Sequence, residues 1–575
     1  MLYLRAARQS IIQHNTLGTF FMLQTFAPAS AQGGPARRYR LWDLLVLALA
    51  ACYAWAALQG VLSISVGGAQ LDSDLATYAQ GMAGADHPEL FVLDPVLRAV
   101  TPANSIWNLE RFTARLLTPG NDYVVGLFRA GALAIFIFYA GWYLLGRWLF
   151  GSPGLAFLLA LLAGVTVWVE WGTFWGIAQS DPVPRVFFAA LWPFLLLGAL
   201  AAQERALLRP PAMLAAGLCM WVHGISALNT GAMFFLAFAL HRPQGQSLVA
   251  HLVNCVFCLV LYFIPVLAFL WPSLTQTHAF SAADMAVFQE LFNLRWQEDY
   301  GRLGERLAHL VSFSSPMLPL LCGGFAAWLI VRRRGGMRAR RLAAMCPAFV
   351  LALVLVVLFS WAESRLAPEF GRLPLGHELV RGLRFLVPLS WLMIVAALAC
   401  FRPRLSRAGR LLLAGGVTSA VLLLSHDRQY MAAQYAVSQA TGLPLPLLDD
   451  AREAMRGAAA YREALDRLAR LVPPGVPVFS DSDAMAVRYL AQRPLVHSFK
   501  DGYIFFYNKD VQGSRTWLRY NALMQQGPTG YIDAWLASGV PWLLSGRPRD
   551  KALLEPYGEV LWENGGWLIA RRRGG

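Results

Sequence analysis

The stretch "RRRGGMRARR", residues 332–341, joins two long apolar runs and decides how the whole chain is threaded. Cytoplasmic loops of membrane proteins carry the excess of Lys and Arg, so a loop of this kind fixes an orientation. Two other loops give the same signal: "RRYR" at 37–40, ahead of the first apolar run, and "RPRLSRAGR" at 402–410. A membrane span needs about 20 mostly apolar residues. Such runs lie near 41–65, 123–149, 153–169, 184–202, 211–223, 225–240, 248–271, 311–331, 343–361, 382–401 and 409–425. Eleven spans put all three arginine clusters on one side. Merging the short fifth and sixth runs, which meet at "WVHGISALNTG", would move residues 332–341 to the other face.

The expected fold is therefore a polytopic α-helical membrane protein of about eleven transmembrane helices. Residues 1–40 read as a cytoplasmic lead and 41–425 as the membrane domain. The loops at 66–122, 272–310 and 362–381 face outward, as does an extracytoplasmic domain at 426–575. Composition agrees: 57% of the 575 residues are hydrophobic and 14% charged, where soluble domains average about 25% charged. The net charge of +15 is accounted for by cytoplasmic arginine, and no nucleic-acid partner is expected. None of the seven cysteines lies in the polar C-terminal third, so no disulfide framework is indicated. Cys255 and Cys258 form a CxxC inside an apolar run without a second pair and read as packing residues. The stretch "TLGTFFMLQTFAPASAQ" looks faintly like a signal-peptide core. It is short and interrupted by polar residues, and reads instead as disordered lead or a misassigned start.

The tail has its own fold. "PPGVPVFSDSDAMAVRYLAQRPLVHSF" reads strand, helix over 483–492, strand; "SRTWLRYNALMQQG" and "YIDAWLASG" are helical, each closed by glycine. "VPWLLSG", "GEVLWEN" and "GWLIARR" are further strands, the last two joined at "ENGG" in a hairpin. A small α/β domain with a largely parallel sheet is expected. No glycine-rich phosphate loop suggests nucleotide binding.

An acidic loop follows the first span: "GGAQLDSDLATYAQGMAGADHPELFVLDP", Gly67 to Pro95. Asp72 and Asp74 are two apart, so they share a face only in extended backbone. "DLATYAQGMAG" has the character of a short helix with Asp74 near its start, where the helix dipole favours a carboxylate. Helix capping would explain that aspartate without any chemistry. His87, before Pro88, suits a turn or a substrate contact, and Glu89 and Asp94 follow it.

A second group sits in "VEWGTFWGIAQSDPVPR", with Glu170 at the outer end of the third span and Asp181 and Arg185 opening the fourth. Trp168, Trp171 and Trp175 suit an interfacial belt or a sugar ring. In "GHELVRGLRFLVP", Arg381 and Arg384 lie three apart at the outer end of the tenth span. External arginines run against the charge rule. They either bind a phosphate or pair with Glu363, Glu369 or Glu378. His377 and Arg365 are further phosphate candidates. Lys500, Lys509 and Lys551 are the chain's lysines, all in the tail, so phosphate binding in the membrane region falls to arginine or histidine. His223 reads as a helix–helix hydrogen bonder beside Asn229.

An acidic loop beyond the first span, an interfacial helix and the phrase "HPELF..DP" resemble the first external loop of the GT-C glycosyltransferases, as "RPLVHSFKD" in the tail resembles their external domains. That resemblance implies a bacterial inner-membrane enzyme moving a sugar from a polyprenyl-phosphate donor to an external glycan, lipid or protein, with inversion. This chain has D-S-D where better-known members have adjacent acids. Asp72 and Asp74 thus both remain candidates for the general base, Asp74 favoured. The chemistry requires one carboxylate to take the acceptor's proton and cations to stabilise the departing phosphate. Glu170, Asp181, Arg185, His87, Arg381, Arg384, His377 and Arg365 are the substrate-binding candidates. No cofactor is required; a divalent Mg or Mn ion on the acidic pair is the one metal considered. A transporter or flippase of a lipid-linked molecule and a non-catalytic scaffold are the rival readings. Convergence of Asp72, Asp74, Glu170 and Arg381 would separate them.

Overall fold

Twenty-eight residues from Tyr123 to Phe150 form one unbroken helix, which at 1.5 Å per residue is roughly 40 Å long and gives the molecule two ends. At its start Tyr123 donates to Asp86 at 2.8 Å; near its finish Arg147 pairs with Asp43 at 2.8 Å. The same far end gathers Arg338, which donates to the Trp148 carbonyl at 2.6 Å, and Arg341, paired with Glu204 at 2.6 Å. The arginine-rich loop and the first acidic loop therefore lie at opposite ends of the bundle, as the charge pattern requires.

This computed structural model describes residues 35–66, 69, 73–99, 109–118, 122–177, 182–275, 280–296, 303–374, 376–401, 406, 409, 428–443, 448–547 and 551–574. In chain order the membrane part comprises α1 (Pro35–Ile64), α2 (Ser73–Asp86), α3 (Leu109–Leu117), α4 (Tyr123–Phe150) and α5 (Pro153–Gly164). A hairpin, β1 (Val167–Val169) with β2 (Thr173–Trp175), precedes α6 (Pro184–Ala202), α7 (Arg209–Leu218), α8 (Gly224–Leu240) and α9 (Leu248–Thr275). Then come α10 (Ala282–Trp296), α11 (Leu303–Leu310), α12 (Met317–Arg334), α13 (Met337–Leu366), a 3₁₀ segment His377–Phe385 and α14 (Leu386–Phe401). Lipid offers backbone groups no partners, so apolar runs satisfy themselves as helices. Among the described residues six helices are long and apolar enough to cross a membrane, and three apolar helices are shorter. The protein is a polytopic α-helical membrane protein. The eleventh run, 409–425, lies outside the described residues.

Two expectations change. The third span ends at Gly164, because the β-branched run Val165–Thr166–Val167 favours extended backbone. Positive φ at Trp171 (66°) and Gly172 (62°) then turns the chain back as β1–β2. Glu170 consequently sits in a hairpin turn and not at a helix end. The tryptophans are not a belt either: Trp168 is 63% exposed, but Trp171 and Trp175 are buried. Trp175 donates to the Ala163 carbonyl and packs on Trp142, Trp192 and Phe385. The hairpin is a plug packed into the bundle.

The tail begins with α15 (Arg428–Thr441), packed on α1, and α16 (Leu448–Leu471). On α16 Ala458, Tyr461, Ala464, Leu465 and Leu468 are buried, one stripe at helical spacing. Truncating Leu468 to alanine is expected to cost about 2–5 kcal/mol. Beyond it lie β3 (Val478–Ser480), α17 (Ala486–Tyr489), α18 (Asp501–Tyr507), α19 (Val511–Met524) and α20 (Gly530–Ser538). The domain closes with β4 (Trp542–Ser545), α21 (Lys551–Leu554), β5 (Gly558–Asn564) and β6 (Trp567–Arg572). The sheet order is β3-β4-β6-β5. Only β3–β4 is parallel; the hairpin at Gly565–Gly566 makes the other pairs antiparallel. The expected largely parallel sheet is thus a mixed one. The expected second strand is reduced to a bridge at Leu495, and the helix over 483–492 to the single turn α17.

Tail and membrane domain meet through α17, which packs on α2. At their contact the fully buried guanidinium of Arg488 pairs with Asp94 of the first loop and Asp501 of the tail. Breaking such a buried pair by removing one partner typically costs about 3–5 kcal/mol.

Candidate functional site

Asp74 opens α2 and remains 34% exposed, open to a substrate. Its Oδ1 lies 2.5 Å from Lys500 Nζ and its Oδ2 lies 3.8 Å from Arg185. Arg381 is near enough for its charge to act on it. Burial alone would raise this carboxyl, but Lys500 and Arg185, with Arg381 behind them, outweigh burial and hold it below the usual carboxylate range. Four separate segments supply the group: the first loop, the start of α6, the 3₁₀ segment before α14, and the tail.

The 3₁₀ segment places its arginines differently. Arg381 donates from Nε to the Trp171 carbonyl at 2.9 Å and pairs with Glu378 at 3.1 Å. Arg384 is buried, and its hydrogen-bond partners among the described residues are neutral. It donates to Thr173 Oγ1 at 3.1 Å, to the Ser226 hydroxyl, and towards His223 Nδ1 at 3.3 Å. Arg185 and Arg381 repel its charge, and the Glu378 carboxylate partly offsets them. A buried guanidinium bonded to neutral partners, with two like charges near it and one carboxylate beyond ion-pair distance, is costly unless an anion joins it. Gly382, between the two arginines, must be glycine: a Cβ there would stand 1.9 Å from Asn229 Oδ1.

His223 caps α8, accepting from the Ser226 amide at 3.2 Å. Asn229 instead donates to the Ile225 and Leu379 carbonyls. The helix–helix bond expected between His223 and Asn229 is therefore absent. The chain break at "WVHGIS" serves to present His223 and Ser226 to Arg384.

Two cations that sequence reasoning missed complete the group. Lys500, set aside as a tail residue, precedes α18 and reaches Asp74. Arg295, at the end of α10, lies 3.9 Å over the Phe499 ring and within electrostatic reach of Asp74 and Asp483. Its Nε is buried without a hydrogen-bond partner among the described residues. The one sequence signal for either was the "SFKD" phrase that contains Lys500.

Other candidates lie elsewhere. Glu170 is paired outside the Asp74 group, with Arg306 at 3.0 Å and His309 at 2.5 Å. His87 faces Glu89 at 3.6 Å. His377 is buried against Phe292 and Trp296, 3.4 Å from the Tyr507 hydroxyl. Arg365 is exposed on the last turn of α13, where Glu363 is taken by Arg372. Asp72 and Asp181 lie outside the described residues. Among the described residues no three His, Cys, Asp or Glu side chains gather as a metal site. Ammonium and guanidinium groups occupy the Asp74 oxygens, a setting that does not fit a divalent cation.

No family model matches the chain, and no curated protein matches it. Among solved structures, the chain is similar to ArnT from Cupriavidus metallidurans bound to undecaprenyl phosphate. The two share 14% identity, with 92% of this chain and 97% of that one covered, at a TM-score of 0.47.

Proposed function

We propose that the protein is an inverting glycosyltransferase that moves a sugar from a polyprenyl-phosphate donor to an acceptor outside the cytoplasm. The observation that carries this reading is a single accessible carboxylate, Asp74, held among Lys500, Arg185 and Arg381 with the buried Arg384 behind them. A hydrolytic or acid–base site working on a neutral substrate would need no such excess of cations. A polyprenyl-phosphate donor does: its phosphodiester carries one negative charge and its departing monoester two.

Asp74 takes the proton from an acceptor hydroxyl while that oxygen bonds to the anomeric carbon. The bond from that carbon to the phosphate oxygen breaks, and its electron pair leaves with the polyprenyl phosphate. One displacement from the face opposite the phosphate inverts the anomeric centre. Arg381, Arg384 and Lys500 meet the growing charge, preorganised by Trp171, Thr173, Ser226 and α18, so little reorganisation accompanies the reaction. Arg185, in contact with the Asp74 carboxylate and stacked 4.6 Å over Phe174, orients the base. The acceptor is a glycan, lipid or protein, and no metal is used.

The arginine cluster at 332–341, whose Arg338 and Arg341 lie at the far end of the bundle, sets that end in the cytoplasm. The Asp74 group and the tail domain then face the periplasm of a bacterial inner membrane. The test is transfer of labelled sugar from polyprenyl-phosphate sugars by the purified full chain, with Asp74→Asn as control. Transfer that persists undiminished in Asp74→Asn removes the assigned base. Absence of transfer by the wild-type chain from every such donor removes the function.

A further inference from the structure

We propose that Arg488 is a positioning residue: its knot with Asp94, Gln80 and Asp501 sets Lys500 of the tail against Asp74 of the first loop. The catalytic consequence rests on the transfer reading above; the positioning itself does not.

All five guanidinium hydrogens of Arg488 are used. Nε donates to Asp94 at 2.7 Å, Nη1 to Gln80 at 2.8 Å and Asp501 at 2.7 Å, and Nη2 to the Leu495 carbonyl at 2.8 Å and Asp501 at 3.0 Å. Asp94 is equally saturated. One of its oxygens accepts the Val96 and Leu97 amides, and the other accepts Arg488 and the Leu495 amide. Two phrases of sequence far apart in the chain, "HPELFVLDP" and "RPLVHSFKD", are thereby locked to each other.

The knot touches both ends of the catalytic pair. Gln80 lies on α2, the helix that Asp74 opens; Asp501 is the first residue of α18, directly after Lys500. Fixing Gln80 and Asp501 to one planar fork fixes the start of α18 relative to α2. That leaves the Lys500 side chain only its own rotamers to lose when it reaches Asp74. A buried charge network unrelated to the site would have no need to bond the residue next to its lysine. The tail domain thus belongs to the reaction centre and is not a separate guide for acceptors.

The experiment uses the full chain in detergent and reads amine labelling of its lysines by mass spectrometry, alongside melting temperature and sugar transfer. Asp501→Asn leaves Arg488 still paired with Asp94 at a cost in stability that the melting temperature reads; Gln80→Leu, which keeps both ion pairs, is the second and milder variant. In each, labelling of Lys500 is expected to rise severalfold while that of Lys551, exposed on the same domain, stays unchanged. Transfer is expected to fall about tenfold, as for a slightly misplaced group, with no further loss when either change is added to Lys500→Met. Lys500 labelling at the wild-type level in both variants overturns the inference. So does a loss of transfer that multiplies with that of Lys500→Met, which would mark a merely structural role. If labelling responds as expected while the wild-type chain transfers no sugar, the positioning stands and the proposed function falls.

Discussion

Lys500 Nζ and Asp74 Oδ1 stand 2.5 Å apart, one from the C-terminal tail and the other from the first loop of the chain. The ion pair makes Asp74 a carboxylate at all ordinary pH values. A base must be ionised, reachable and near the acceptor's proton, and Asp74 meets the first two conditions. Asp74→Asn is expected to lower transfer about 10²–10⁴-fold, the range for loss of a general base. Its melting temperature should change little, since the side chain is a third exposed. Initial rates and thermal melts on the same preparation check both.

The same pair sets a pH dependence. Activity requires the ionised base, so it falls as pH drops through the Asp74 pKa, which Lys500 and Arg185 hold low. In Lys500→Met that pKa rises, so the acid limb of the rate profile should move to higher pH, and the plateau rate should fall as well. A profile with its acid limb unmoved would show that another group controls it.

Reading of the chain alone reached some of this arrangement and not the rest, for physical reasons. Spans and their polarity follow from run length and arginine, which act locally, so the two ends of the bundle were legible. Asp74 was legible as a helix-start acid beyond the first span, and Arg381 and Arg384 as external arginines that needed a reason. Lys500 was not, because nothing in its neighbourhood says that the start of α18 comes to lie beside Asp74; only the packing of α17 on α2 and the long-range knot at Arg488 bring it there. Glu170 misled in the opposite sense. Its span appeared to continue through "VTVWV", and the hairpin that turns its carboxylate toward Arg306 depends on β-branched residues at a helix end.

Arg384 separates function from stability. Its guanidinium is buried among Thr173, Ser226 and His223, with no carboxylate at ion-pair distance among the described residues. Such a charge costs folding free energy, which on the proposed function is offset when the donor phosphate binds. Arg384→Met is expected to leave the melting temperature unchanged or higher while transfer falls about 10²–10³-fold, as when one donor to a developing charge is lost. A clear drop in melting temperature would show that the arginine is structural.

Glu170 gives the contrast. Its carboxylate is largely buried, but it is taken by the half-exposed Arg306 and the exposed His309 and not by the Asp74 group. Glu170→Gln should therefore keep transfer within about threefold of wild type, less than 1 kcal/mol of barrier. A loss as large as that of Asp74→Asn would place Glu170 at the reacting atoms after all.

His497 supplies a pH effect on the fold and not on the chemistry. Its ring is buried in the tail, stacked between Phe479 and Trp517. Burial, helped by the charge of Arg488, pushes its pKa down to about 4 from the ordinary 6.5. The folded state thus prefers the neutral ring, so this contribution is complete above pH 6.5 and is lost as pH falls toward 4. The full difference is on the order of 3 kcal/mol. Comparison of wild type with His497→Phe isolates the histidine: the variant keeps the stacking and cannot titrate. Melting temperatures measured from pH 7 to 4 should fall more steeply for wild type, with the two curves diverging below about 6.5. Parallel curves would mean that the ring gains a proton in the folded tail as easily as in the unfolded chain, and that the Phe479–Trp517 stack does not shut water out.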